Sequence, residues 1–153
     1  MEKLLLICDL GRVRAVHFRE PGGLPLEQPH FHEEEGDTWE FRPDRITEAT
    51  SDQAGRFTQS GPLGRGAGMS FGEEHHLTDE LHRKALLRIA ARVTAVVEEA
   101  DYPPCRLVAP ERVLPRLLEL LPPAVAACVA ATEEADLTKM SLRDLEHRFL
   151  AAR

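Results

Sequence analysis

The sequence predicts an α/β domain of the α+β kind: a mixed five-stranded sheet with helices on its faces, in the order β-β-β-α-β-α-β-α. Three observations predict it. An unbroken apolar run stands at the start of the chain, two tight reversals follow it, and apolar stripes at helical spacing later alternate with short strand-like runs.

The opening run, Leu4-Leu5-Leu6-Ile7-Cys8, is too short for a helix and suits a central strand covered on both faces. Asp9-Leu10-Gly11-Arg12 supplies a turn, after which residues 13–19 read as a second strand and complete a hairpin. Pro21-Gly22-Gly23 makes the next reversal. Residues 24–31 are then expected as a third strand, and Pro25 and Pro29 place it at an edge because proline cannot donate to the ladder.

A helix is expected over residues 73–100, with Leu86, Ala90, Val93, Val97 and Ala100 on one stripe against the sheet. Tyr102-Pro103-Pro104 stops it, and residues 106–109 form a short buried strand. Pro110 and Pro115 flank the start of another helix, whose apolar side carries Leu114, Leu117, Leu118 and Leu121. Pro122-Pro123 ends that helix. Residues 125–130 are either a strand or a short helix followed by one. In the last helix Ser141 is the N-cap, Asp144 stands three residues on, Met140 staples onto Leu145, and Leu142, Leu145 and Phe149 form the buried stripe.

Right-handed crossovers after an antiparallel meander give a ribonuclease H-like order. A doubly wound dinucleotide fold fits less well, since its first strand feeds a glycine-rich turn and a helix, and here it feeds a hairpin. One domain spans residues 1–153, interrupted by a long loop at about 42–72 with glycine at 55, 61, 64, 66, 68 and 72. Connections of that length inside a compact domain are usually binding or catalytic loops, or disordered segments.

Within that loop, Ser51-Asp52-Gln53-Ala54-Gly55-Arg56 resembles the S-D-x-x-G-R signature of the bacterial host attachment protein family. Other landmarks resemble the family in the same order: Leu4 to Asp9 its opening strand, Glu73-Glu74-His75-His76 its helix start, Leu107-Val108-Ala109-Pro110 its central strand, and Asp136-Leu137-Thr138-Lys139 its closing D-L-T motif. The resemblance implies kinship with the middle domain of archaeal and eukaryotic peptide-chain release factors, hence a ribonuclease H-like sheet and a translation-linked role. Hydrolysis by a Gly-Gly-Gln loop is not carried over, because Gln53 precedes Ala54 and Gln59 precedes Ser60.

With 153 residues, 42% of them hydrophobic, the chain has material for one core. No stretch reaches the eighteen or so apolar residues of a membrane span, and the opening run lacks the preceding basic segment of a signal peptide, so a cytoplasmic protein without membrane contact is expected. Cys8, Cys105 and Cys128 are odd in number and form no C-x-x-C pair, which predicts reduced thiols. A net charge of −7 disfavours generic phosphate binding. Sixteen of the nineteen basic residues are arginine and asparagine is absent, a pattern of composition bias.

The loop nevertheless carries Arg42, Arg45, Arg56 and Arg65 against Asp44, Glu48 and Asp52. Arginine grips phosphate with two donors, and glycines let backbone N–H groups approach it. Ser51, Asp52, Gly55, Arg56 and Arg65 are therefore the candidate RNA- or ligand-binding residues, with the ribosome, structured RNA or a protein as partner. A second candidate polar site is Asp9 with His75, Asp79 and His82, the last three extending the apolar stripe of the long helix. His30 and His32 fall on one strand face beside Glu33-Glu34-Glu35, where an acidic solvated strand end is the commoner meaning than a metal site. No cofactor or resident metal is expected. A two-metal nuclease would need converging carboxylates, for which Asp9, Asp79 or Glu80, and Asp144 or Glu146 are the candidates. Ser51, Ser60 and Ser70 lack the G-x-S-x-G context of a nucleophile elbow.

Overall fold

A computed structural model describes residues 2–41 and 71–151, with side chains in the long helix from Thr78 onward. Its strands are β1 (Leu4–Cys8), β2 (Arg12–Arg19), β3 (His30–His32), β4 (Thr38–Glu40), β5 (Cys105–Ala109) and β6 (Val129–Glu134). The helices are α1 (Phe71–Glu99), α2 (Leu114–Leu120), α3 (Pro123–Ala126) and α4 (Leu142–Phe149). The sheet and α1 from Leu86 onward belong to one compact unit, while α1 up to Ala85 belongs to a separate one.

The sheet order is β3-β2-β1-β5-β6. β1 pairs antiparallel with β2 and parallel with β5, and β5 pairs parallel with β6. Every residue of β1 is buried, as its uninterrupted apolar run requires, and its two faces feed two cores. Leu4, Leu6 and Cys8 pack with Ile89, Val93 and Val97 of α1 and with Leu114 and Leu117 of α2. Leu5 and Ile7 pack on the opposite face with Val108, Leu137 and Leu145, the last from α4. Each fully buried aliphatic side chain of this kind contributes about 1.5–3 kcal/mol relative to exposure, so both helical layers hold the sheet.

The expected third strand is corrected. Residues 24–28 do not pair; Leu24 and Leu26 are exposed, and Leu26 takes a positive φ of 71°. Proline at 25 and 29 removes the donors a strand would need, so pairing starts only at His30. The outer edge of β2 is instead shared: Arg12 to Arg14 pair with β4 and His17 to Arg19 with β3. Six strands are thus present among the described residues, where five are expected from the sequence. Gly36, with φ 91°, makes the reversal between β3 and β4, and Asp37 closes it by accepting the Glu34 N–H at 2.6 Å.

Residues 125–130 resolve into α3 followed by β6, because Pro122 is extended at ψ 150° and Pro123 starts a new turn. No helix among the described residues is long and apolar enough to cross a membrane.

Candidate functional site

The carboxyl ends of parallel strands are where open sheets place their clefts, and here β1 runs straight into one. Asp9 follows β1 directly. Its Oδ1 accepts the Gly11 N–H at 2.7 Å, forming the turn into β2, and its Oδ2 accepts the Thr138 hydroxyl at 3.0 Å. Asp136 Oδ1 lies 3.2 Å from the same hydroxyl. A hydroxyl has one hydrogen to give, so the two carboxylates share a single donor that favours the nearer Asp9.

β2 supplies the other half of this clasp. Arg12 Nη1 donates to the Thr138 carbonyl at 3.2 Å, and Arg14 Nη1 donates to the carbonyl of Met140. Arg14 also makes a two-pronged pair with Glu33, through Nε to Oε1 and through Nη2 to Oε2 at 3.1 Å. Both Arg14 and Thr138 are buried. The segment 136–140 between β6 and α4 is therefore held by three side chains, Asp9 just after β1 and Arg12 and Arg14 of β2, while Leu137 anchors it in the core. The D-L-T tripeptide has a local cause: an acid and a hydroxyl for the clasp, with a leucine between them for the core.

Around the clasp lies an open cleft of about 320 Å³, lined by Arg12, Arg14, Glu33, Thr38, Thr138, Lys139 and Met140. Its charges are largely compensated. Arg14 is paired with Glu33, and Arg12 pairs with Glu40. The acids that a nuclease would need each have a structural partner. Asp9 holds Thr138; Asp144 accepts the Ser141 hydroxyl at 2.8 Å; Glu146 accepts the Phe31 N–H at 2.8 Å; Glu80 pairs with Arg83 at 2.9 Å. Among the described residues, no three His, Cys, Asp or Glu side chains converge as a metal group in the positions they hold.

Ser51, Asp52, Gly55, Arg56 and Arg65 lie outside the described residues, as does the side chain of His75. Asp79 and His82 are exposed on α1. The second candidate polar site is thus described only in part: Asp9 sits in the clasp, and the α1 residues belong to the separate unit.

The strand pairing adds a residue that sequence reading missed. His30 and His32 share a face of β3, and the register places His17 of β2 directly opposite His32. Ring centres lie 5.3 Å apart for His17 and His32, and 6.4 Å apart for His30 and His32. His17 Nε2 faces Asp37 Oδ2 at 3.2 Å, and His30 Nδ1 donates to the Gln28 carbonyl at 3.4 Å. His32 Nδ1 is buried without a hydrogen-bond partner. Burial, reinforced by Arg19 and the neighbouring His17, holds the His32 imidazole below its ordinary value, against the opposing pull of Glu34. Only a known register could have brought in His17, since it stands thirteen residues before His30 in a different strand.

A mixed sheet with helices on both faces, its carboxyl-end loop tied down by Asp9, Arg12 and Arg14, defines an α+β domain built around a braced polar cleft. Residues 4–149 match the family described as proteins required for attachment to host cells, and the chain belongs to that family. Comparison with curated proteins gave no match, and comparison with solved structures gave none.

Proposed function

We propose that the chain is a non-enzymatic, translation-associated binding domain of the host attachment family, release-factor-like in build, which engages the ribosome or structured RNA through residues 50–76. The observation that carries the non-enzymatic half is the occupation of the acids: Asp9, Glu80, Asp144 and Glu146 each serve a separate structural contact. A metal-dependent phosphoesterase or nuclease would need such groups turned toward one point. The strand order, three antiparallel strands joined to two parallel ones, supports a ribonuclease H-like sheet.

For the binding half the support is chemical and comes from the sequence. Asp52 is suited to accept backbone N–H bonds, Gly55 to permit a turn, and Arg56 and Arg65 to contact phosphate. Co-sedimentation with ribosomes at moderate salt is the test. The wild-type chain pellets with them and Arg56→Ala weakens that; a chain that stays wholly in the supernatant overturns the reading. Cleavage of labelled RNA with magnesium or manganese, abolished by Asp9→Asn, would overturn the non-enzymatic half.

A second reading, a protein-interaction module connected with attachment to cells, rests on the family's description alone. It predicts a protein partner captured in pull-downs whose recovery is unchanged by ribonuclease.

A further inference from the structure

We propose that His17, His30 and His32 form a three-imidazole site for a divalent transition-metal ion of the zinc class. The backbone provides the scaffold. β2 and β3 pair antiparallel with His17 opposite His32, and alternation puts His30 on the same face. Three histidines from two adjacent strands thus present their rings on one side of a hydrogen-bonded ladder. Neutral imidazole is a ligand that suits zinc, copper and nickel, and zinc sites of three histidines leave a fourth position for water or another ligand.

A second observation, independent of ring proximity, is how the ring nitrogens are committed. Histidines that bind metal characteristically give their other ring nitrogen to a carboxylate or a backbone carbonyl, which fixes the tautomer and the ring orientation. His17 directs Nε2 at the Asp37 carboxylate, leaving Nδ1 as its acceptor. His30 directs Nδ1 at the Gln28 carbonyl, leaving Nε2. Asp37 is itself fixed, because the same Oδ2 accepts the Glu34 N–H. His32 Nδ1 is buried with no partner, a cost that a bound ion would remove.

The spacing is close to what an ion requires. With metal–nitrogen bonds of about 2.0–2.1 Å in tetrahedral geometry, ring centres stand roughly 5 Å apart. The His17–His32 separation of 5.3 Å meets this, while His30–His32 at 6.4 Å is wider. The rings as placed do not yet converge. Closing them takes rotation about side-chain bonds, of which the last in histidine has a broad, shallow preference; the ladder stays intact, and the Asp37 and Gln28 contacts have to follow the turned rings. Glu34 Oε1 lies 4.0 Å from His32 Nε2, on the ring's other nitrogen, so the fourth position falls to water.

The experiment uses the full chain with any affinity tag removed, stripped with chelator and titrated with zinc against a chromophoric competitor, then with cobalt(II). One equivalent binds, cobalt gives the absorption of a tetrahedral site, and zinc raises the melting temperature by mass action. His17→Gln, His30→Gln and His32→Gln each abolish that equivalent, and Asp37→Asn weakens it about 10-fold or more. His147→Gln, on the exposed side of α4, leaves it unchanged. Circular dichroism reports folding of each variant. If loss of the half-buried His17 or His32 unfolds the chain, His30→Gln at the strand start carries the test. Absence of zinc uptake by the wild-type chain overturns the proposal. So does binding that survives in His30→Gln, or that is lost only in His75→Gln with His76→Gln.

Discussion

Thr138 donates its hydroxyl to Asp9 across 129 positions of sequence, at 3.0 Å. That bond ties the end of β1 to the segment entering α4. Asp9 is also the acceptor of the Gly11 N–H, so one carboxylate sets both the β1–β2 turn and the docking of the last helix. Thr138→Val leaves Asp9 Oδ2 without its donor and is expected to cost about 1–3 kcal/mol. Asp9→Ala removes the acceptor and costs a similar amount. The two share one interaction, so the double variant falls short of their sum, and urea unfolding of all four proteins measures the coupling.

Arg14 and Arg12 make a contrasting pair on the same strand face. Arg14 is buried against Glu33, which is itself only 20% exposed, and also serves the Met140 carbonyl. Arg12 meets Glu40, whose side chain is 59% exposed. Removing one partner of a buried pair leaves an uncompensated charge, so Arg14→Met is expected to cost about 3–5 kcal/mol, and adding Glu33→Leu to recover most of it. Arg12→Ala is expected to cost about 1 kcal/mol or less, since exposed pairs are screened. Chemical denaturation distinguishes the two; equal losses would show that the burial of Arg14 does not govern its contribution.

Much of this architecture is legible from the chain, and the exceptions share a physical cause. The run Leu4 to Cys8 has one outcome available, because five consecutive apolar residues need cover on both faces. The cap of α4 is equally local: Ser141 Oγ accepts the Asp144 N–H at 3.1 Å, from three residues away. Ser141→Ala is accordingly expected to cost about 1 kcal/mol, read as a fall in the urea midpoint. β4 was not legible. Three residues around Trp39 show no periodicity, and their pairing with Arg12 to Arg14 depends on a turn at Gly36. The burial of Arg14 was not legible either, because the carbonyls of 138 and 140 that receive it come from the far end of the chain. Sequence patterns record a residue's neighbours along the backbone. The Asp9 clasp and the His17–His32 pair are made by neighbours that only the sheet brings together.

The cysteines connect packing to pH. Cys105 is fully buried at the start of β5, and burial, with the nearby Cys128 thiol adding to it, pushes its pKa up from 9.0 to about 11. Burial also pushes the Cys8 thiol upward. In the unfolded chain these thiols ionise at their ordinary value, whereas the folded chain keeps them protonated. The contribution of Cys105 to stability is therefore complete below about pH 9 and is lost as the pH rises toward 11. The urea midpoint is expected to drop between pH 8.5 and 10.5, and to drop less in Cys105→Ala, in which that thiol no longer titrates. Thiol labelling of the native chain at pH 8 gives the companion measurement: half-buried Cys128 reacts first, and Cys8 and Cys105 react only after denaturant is added. Identical alkaline losses in the parent and Cys105→Ala, together with three equally fast thiols, would show that the β1–β5 core admits solvent at the sulfur atoms.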